Sequence, residues 1–184
     1  MAIERAALQH LILIIALLLS ASFATGCKSG GLDLTNRTEE EPAPRLAARV
    51  ETADPRAVPQ LVSGWWYVED NAWRWTARKF AVILRRPIGA ARAGAVLRLN
   101  LALPEVIFSR FKEVTLSASI QGKPLAPETY GRPGAAVYAR EIPANLLSTA
   151  SVRVDFELDK ALPPNQADKR ELGVIARNVS LETR

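Results

Sequence analysis

Val152-Arg153-Val154-Asp155-Phe156-Glu157-Leu158 alternates without a break, with four apolar residues in one phase and Arg, Asp and Glu in the other. Successive side chains of a strand point to opposite faces. The stretch therefore reads as a strand with one face on a core and one in water. Leu97-Arg98-Leu99-Asn100-Leu101-Ala102-Leu103 and Val114-Thr115-Leu116-Ser117-Ala118-Ser119-Ile120 carry the same period. Phe80, Val82 and Leu84 add a further strand, with Ala81 and Ile83 suggesting cover on both faces. Near the C-terminal end, Leu172 and Val174 lie in one phase, while Ile175, Arg177, Val179 and Leu181 lie in the other. That slip predicts a β-bulge beside Gly173.

Turn residues separate these runs: Pro87-Ile88-Gly89, Gln121-Gly122-Lys123-Pro124, Gly131-Arg132-Pro133-Gly134 and Leu162-Pro163-Pro164-Asn165. Gln121-Gly122-Lys123 suits a hairpin joining Val114–Ile120 to Leu125–Tyr130. Pro143-Ala144-Asn145-Leu146-Leu147-Ser148-Thr149 allows one helical turn, and no helix of ordinary length is readable after residue 27. Short alternating strands between turns predict an all-β fold, an antiparallel β-sandwich of jelly-roll type. It is expected over residues 47–184, behind an N-terminal signal helix and a disordered tether.

The tether is residues 27–46, where Gly, Ser, Pro and charge replace any hydrophobic period. A coil of that length spans on average about 25 Å. Ahead of it, Leu11-Ile12-Leu13-Ile14-Ile15-Ala16-Leu17-Leu18-Leu19 is uninterrupted and apolar, then small residues lead to Ala24-Thr25-Gly26-Cys27. This is the three-part layout of a secretory signal. The strictly apolar run is much shorter than the ~20 residues a spanning helix needs. The closing tetrapeptide resembles the lipobox of bacterial lipoproteins, although Ala24 stands where Leu is usual. That resemblance implies cleavage after Gly26 and acylation of Cys27. The mature chain would then be held on membrane lipid, because two or more acyl chains anchor stably where one does not. Lys28 follows the cysteine where an inner-membrane retention signal would have Asp. By the same resemblance, the protein would sit in the bacterial cell envelope, at the outer membrane if the cell has two membranes.

Composition excludes whole classes of chemistry. The one histidine is His10 and the one cysteine is Cys27. Residues 28–184 therefore have neither, which leaves no intrachain disulfide and no zinc, haem or iron–sulfur site of the usual ligand types. Ser-His-Asp and Cys-His nucleophiles are excluded with them. Oxygen-ligand calcium binding stays open, but the acidic residues are spread out with no Asp-x-Asp-x-Asp run, and no metal site is expected. No cofactor is expected. The net charge of +5 is mild and scattered over Arg74, Arg78, Lys79, Arg85, Arg86, Arg92 and Arg98. It forms no dense stripe, so no nucleic-acid partner is expected.

All four tryptophans fall in Gly64-Trp65-Trp66-Tyr67-Val68-Glu69-Asp70-Asn71-Ala72-Trp73-Arg74-Trp75-Thr76. Glu69-Asp70-Asn71 reads as the turn of a hairpin. Trp73 and Trp75 then share one face with Arg74 opposite, and Trp65 and Tyr67 share another with Trp66 opposite. Two readings stand. In one, Trp73 and Trp75 plug an end of the core and their N–H groups find backbone partners. In the other, Trp65, Trp66, Trp73 and Trp75, with Glu69 and Arg74, form a surface for a ligand or partner, with rings stacking on sugars.

The stretch Gly64-Trp65, Glu69, Trp73-Arg74-Trp75-Thr76, then Phe80–Leu84 and Arg170-Glu171-Leu172-Gly173-Val174, resembles a β-sandwich module of bacterial envelope and polysaccharide proteins. That module is similar in shape to galactose-binding-like jelly rolls. The resemblance implies a non-catalytic, sugar-associated module and supplies no ligand residues. Arg170-Glu171 reads as a pair closing a loop. Three functions follow: a membrane-anchored module binding envelope glycan, a structural lipoprotein docking an envelope protein by strand addition, or a two-carboxylate hydrolase. For the last, Glu69, Asp70, Glu105 and Glu128 are the candidates, but nothing in the sequence pairs them, so no enzyme is expected.

Overall fold

A computed structural model describes residues 45–184. The signal segment 1–26, the lipidation site Cys27 and most of the expected tether lie outside the described residues. Nine strands follow in order: β1 (Arg49–Glu51), β2 (Leu61–Glu69), β3 (Trp73–Arg85), β4 (Ala95–Leu103), β5 (Val114–Ile120), β6 (Lys123–Tyr130), β7 (Gly134–Ile142), β8 (Ser151–Leu158) and β9 (Ile175–Thr183). All strand pairings are antiparallel. The fold is the all-β antiparallel sandwich the alternation predicts.

One layer runs β6-β5-β8-β3-β2 and the other β7-β4-β9-β1. β3 joins them. Its first part pairs Arg74 and Trp75 with Ala176 and Ile175 of β9. Its second part pairs Lys79–Arg85 with Glu157–Ser151 of β8. The inward residues of both layers are almost fully buried: Leu97, Leu99, Leu101 and Leu103 from β4, Val152, Val154, Phe156 and Leu158 from β8. Phe156 stacks on Phe80 at 4.9 Å, and Tyr138 of the opposite layer meets it edge-on at 6.3 Å. Ala81 is buried on the outer face, as the double cover of that run suggested.

The two sheet ends, β6 and β7, approach each other without pairing. Arg140 of β7 bridges the gap, donating to the carbonyls of Ala126 (2.6 Å) and Pro127 (2.8 Å) on β6. It also forms an ion pair with Glu128 at 2.9 Å and lies 4.3 Å over the Tyr138 ring. The Tyr138 hydroxyl donates to the Ala126 carbonyl as well. These contacts satisfy β6 carbonyls that a free edge would leave to solvent.

Turn chemistry follows the sequence in detail. Gln121 and Gly122 both take positive φ, as a two-residue type I′ hairpin requires, and Ile120 faces Lys123. Asp70 and Asn71 do the same between β2 and β3. Ala144–Leu146 is a single 3-10 turn. Three features differ from the sequence reading. The slip in β9 is at Arg177, where Asn100 faces Asn178 but Leu101 faces Ala176. It is therefore not beside Gly173: Val174 and Ala176 point inward before the bulge, and Val179 and Leu181 after it. β7 carries no clean alternation, since only Tyr138 and Ile142 are buried along it. The 3-10 helix Pro55–Gln60, capped by the Asp54 side chain, also had no periodic signal.

Among the described residues, Ala47 is the first hydrogen-bonded into the sandwich. The Gln60 amide grips it on both sides, accepting from its N–H at 2.8 Å and donating to its carbonyl at 3.0 Å. The Arg85 N–H donates to the same carbonyl.

Candidate functional site

The outer face of the first layer is a groove. Its rows follow from strand register: Ser63 faces Ala81, Ala81 faces Asp155 and Asp155 faces Ser119. The next row sets Lys79 against Glu157 and Glu157 against Ser117. Ser63, Ala81, Ser117 and Ser119 are small, so the floor is low. Lys79, Arg153, Asp155 and Glu157 rise around it, enclosing about 510 Å³. Glu157 takes Arg78 at 3.1 Å and Lys79 at 3.2 Å, and Asp155 takes Arg153 at 2.7 Å. The groove thus presents hydroxyls and ion-paired side chains in two registered rows, on strands whose other faces form the core.

The tryptophans occupy a different place, the junction where β3 passes from one layer to the other. Trp75 is buried, and Trp65, Trp66 and Trp73 are half-buried against the core. Trp73 and Trp75 share a face, as the spacing predicts, but meet edge-on at 78°, so they offer no flat platform. Trp65 stands edge-on to Phe80 at 5.2 Å and donates its N–H to the Ala81 carbonyl. Trp66 donates its N–H to the Glu171 carbonyl at 2.8 Å. Arg74 donates to the carbonyls of Thr52 and Trp66, and burial pushes its pKa down. Glu69 accepts from Arg170 at 2.7 Å. The exposed ring of the segment is Tyr67, with 76% of its surface in water.

The loop Arg170–Val174 locks this junction. Gly173 N–H donates to the Thr76 carbonyl, Thr76 N–H to the Val174 carbonyl, and Val174 N–H to the Thr76 hydroxyl. The Glu171 carboxylate accepts from the Arg78 N–H at 2.9 Å. A side chain on Gly173 would meet the Ala77 carbonyl and the Thr76 hydroxyl at 2.7 Å. Gly64 is needed on the other side. Its φ is +74° and a Cβ there would meet Phe80 Cα at 2.7 Å. Arg170 binds Asp168 as well as Glu69, which is the loop-closing role the sequence suggested. Those hydrogen bonds from Arg170, by side chain and by backbone N–H, hold the Asp168 carboxyl below its ordinary range.

The structure therefore brings Trp65, Trp66, Glu69, Trp73, Arg74 and Trp75 together, but as a packed and hydrogen-bonded junction. Of the four carboxylates weighed for hydrolysis, two have separate arginine partners: Glu69 pairs with Arg170 and Glu128 with Arg140. The groove residues Ser117, Ser119, Asp155 and Glu157 read from the sequence only as outward positions. Their convergence depends on the order β3-β8-β5, which no local pattern encodes.

No protein-family model matches the chain, and no curated protein matches it in sequence. Solved structures similar in part include a carbohydrate-binding module studied for specific mannan recognition, at 14% identity and a TM-score of 0.41, covering 76% of this chain and 98% of that one. A family 4 carbohydrate-binding module is 12% identical at a TM-score of 0.36, covering 74% and 85%. A family 43 arabinoxylan arabinofuranohydrolase from Bacillus subtilis is 10% identical at the same TM-score, and this chain spans 24% of its length. At these values the likeness is one of β-sandwich shape and carries no residue correspondence.

Proposed function

We propose that this chain is a membrane-anchored envelope lipoprotein, held through acylated Cys27, whose β-sandwich is a non-catalytic module binding an envelope glycan. The observation that carries the binding role is the groove over β2, β3, β8, β5 and β6. Its hydroxyls and fixed charges suit a polyhydroxylated chain, which is recognised by several directed hydrogen bonds in a preformed cleft. Asp155 and Glu157 are both ion-paired, which supports a role in holding hydroxyls. The tryptophan junction supports the groove from the side through Trp65, whose N–H fixes the Ala81 carbonyl at its floor. Anchoring rests on the residues 1–27 pattern. Localisation at the envelope, and at the outer membrane of a two-membrane cell, rests on it too.

The test is binding of full-length protein in detergent micelles to an array of envelope polysaccharides. Ser119→Trp fills the groove from an outward position. It should abolish binding while leaving the melting temperature within a few degrees. Glycan binding that survives Ser119→Trp would overturn the assignment of the groove. A second reading, docking of an envelope protein, is favoured by one observation. Tyr67 and Val62 stand exposed on β2, which among the described residues pairs only with β3. Tyr67→Ser should then weaken partner capture and leave glycan binding intact.

A further inference from the structure

Arg85-Arg86-Pro87-Ile88-Gly89-Ala90-Ala91-Arg92 joins β3 to β4 and lies in a stretch, Asn71 to Pro104, without one acidic residue. Arg85 and Arg92 are exposed, and Ile88 has 89% of its surface in water. Among the described residues none of Arg85, Arg86 and Arg92 takes part in a salt bridge. The loop is not loose. Ala90 is fully buried beneath it and its N–H donates to the Pro87 carbonyl. The Thr183 hydroxyl donates to the Ile88 carbonyl at 3.1 Å. Arg86 donates to the carbonyls of Leu147 and Ser148. The fold thus holds one bare isoleucine outward between the exposed side chains of Arg85 and Arg92, which form no ion pair among the described residues.

This loop lies at a particular end of the sandwich. Arg85 N–H bonds the Ala47 carbonyl, so the N-terminal part of the chain joins the fold beside it. Arg45, the first described residue, is exposed there as well. We infer that this end is a membrane-facing surface: Ile88 inserts at the headgroup boundary of an anionic phospholipid bilayer, and the exposed Arg85 and Arg92 bind its phosphates while Arg86 braces the loop. The inference rests on the reading that the chain is anchored through its N-terminal side. An apolar tip flanked by basic side chains is the composition that binds such an interface. Each basic residue at an anionic surface strengthens partition about fivefold, so removing two changes it by about 25-fold. The anchor would supply proximity and the loop would supply orientation, leaving the groove of the first layer accessible on the side of the sandwich.

The test uses the full chain reconstituted in vesicles of phosphatidylcholine alone and of phosphatidylcholine with about a quarter phosphatidylglycerol, a composition that sets a negative surface potential. Hydrogen exchange of the amides from Ile88 to Ala93 is read on both. The expected result is exchange about tenfold slower on the anionic vesicles, lost in 0.5 M salt as screening requires (~4 Å Debye length). The double variant Ile88→Asp/Arg92→Glu changes two exposed side chains and should lose the slowing while keeping its melting temperature. Equal exchange on both vesicles, or slowing retained by the variant, overturns the inference. Slowing of equal size by soluble heparin without lipid also overturns it, since a general polyanion site would then explain the charge. Flotation with the neutral vesicles scores the anchor separately, so failure of the tether and failure of the loop are distinguishable.

Discussion

Gly173→Ala should destabilise the sandwich through one crowded contact point. Gly173 is not among the glycines with positive φ, so the effect of alanine comes from space. The added methyl would lie 2.6 Å from Leu158 Cδ1 and 2.7 Å from both the Ala77 carbonyl and the Thr76 hydroxyl. The leucine tip can rotate away, but the backbone carbonyl cannot. Relieving that contact moves the loop off β3. The bonds from Gly173 N–H to the Thr76 carbonyl (2.7 Å) and from Val174 N–H to its hydroxyl (3.1 Å) are then stretched. Overpacking costs about 1–3 kcal/mol, and each weakened buried hydrogen bond adds about 1 kcal/mol. A total of about 3–5 kcal/mol, with a urea slope of about 2 kcal/mol/M, lowers the unfolding midpoint by roughly 1.5–2.5 M. Tryptophan fluorescence reads the transition directly, because the four indoles surround the junction. Gly131→Ala is the control: nothing lies within 4 Å of its added Cβ, and it should be neutral or gain about 0.4–1 kcal/mol. A Gly173→Ala midpoint equal to wild type would refute the view that this loop clamps the layer crossing.

Four more outcomes are expected. Trp75→Ala removes a buried ring and should cost about 3–5 kcal/mol in thermal or urea unfolding. Arg140→Ala should cost about 2–3 kcal/mol by leaving β6 carbonyls without their charged donor, and Arg140→Lys should not rescue it, since an ammonium cannot reproduce the fork. The Asp168 carboxyl is held below its ordinary 3.8 by hydrogen bonds from the Arg170 side chain and then its backbone N–H. Its contribution is therefore complete above that value and lost as pH falls through the lowered one, so Asp168→Asn should flatten the fall in urea midpoint below pH 3.8. Mass spectrometry of the mature chain should find Cys27 at the N-terminus with a thioether-linked diacylglycerol, and Cys27→Ser should abolish both the modification and the processing.

Strands β4, β5 and β8 were legible because each has one face on the core and one in water, and Leu99, Leu116 and Val154 recur in step with that geometry. β7 was not legible. It lies at a sheet end, and Ala135, Ala136 and Ala139 fit either side of it. The change of phase near the C-terminal end marks a real bulge, but the local pattern places it beside Gly173 and the pairing places it at Arg177. Arg177, which the alternation counted with the inward set, is the extra residue and points to water. The site shows a different limit. Aromatic density drew attention to Trp65–Trp75, yet what fixes those rings comes from Thr52, Arg170, Glu171 and Gly173, residues distant in the sequence. The groove carried no composition signal, because Ser117, Ser119 and Asp155 acquire meaning only as neighbours across strands.

The double grip of Gln60 on Ala47 has a mechanical consequence. A protein restrained through its N-terminal side receives any drag on the module as a pull on that residue. There the load meets both Gln60 bonds and the Arg85 bond together, and next the Leu181 N–H held by the Ala48 carbonyl. Bonds loaded side by side must fail at once, whereas a strand peeled from its end loses them singly. Substituting Gln60, whose buried amide also donates to the Ile83 carbonyl, should let β1 unzip at lower force, a difference that optical tweezers would register as a drop in the force of the first opening step.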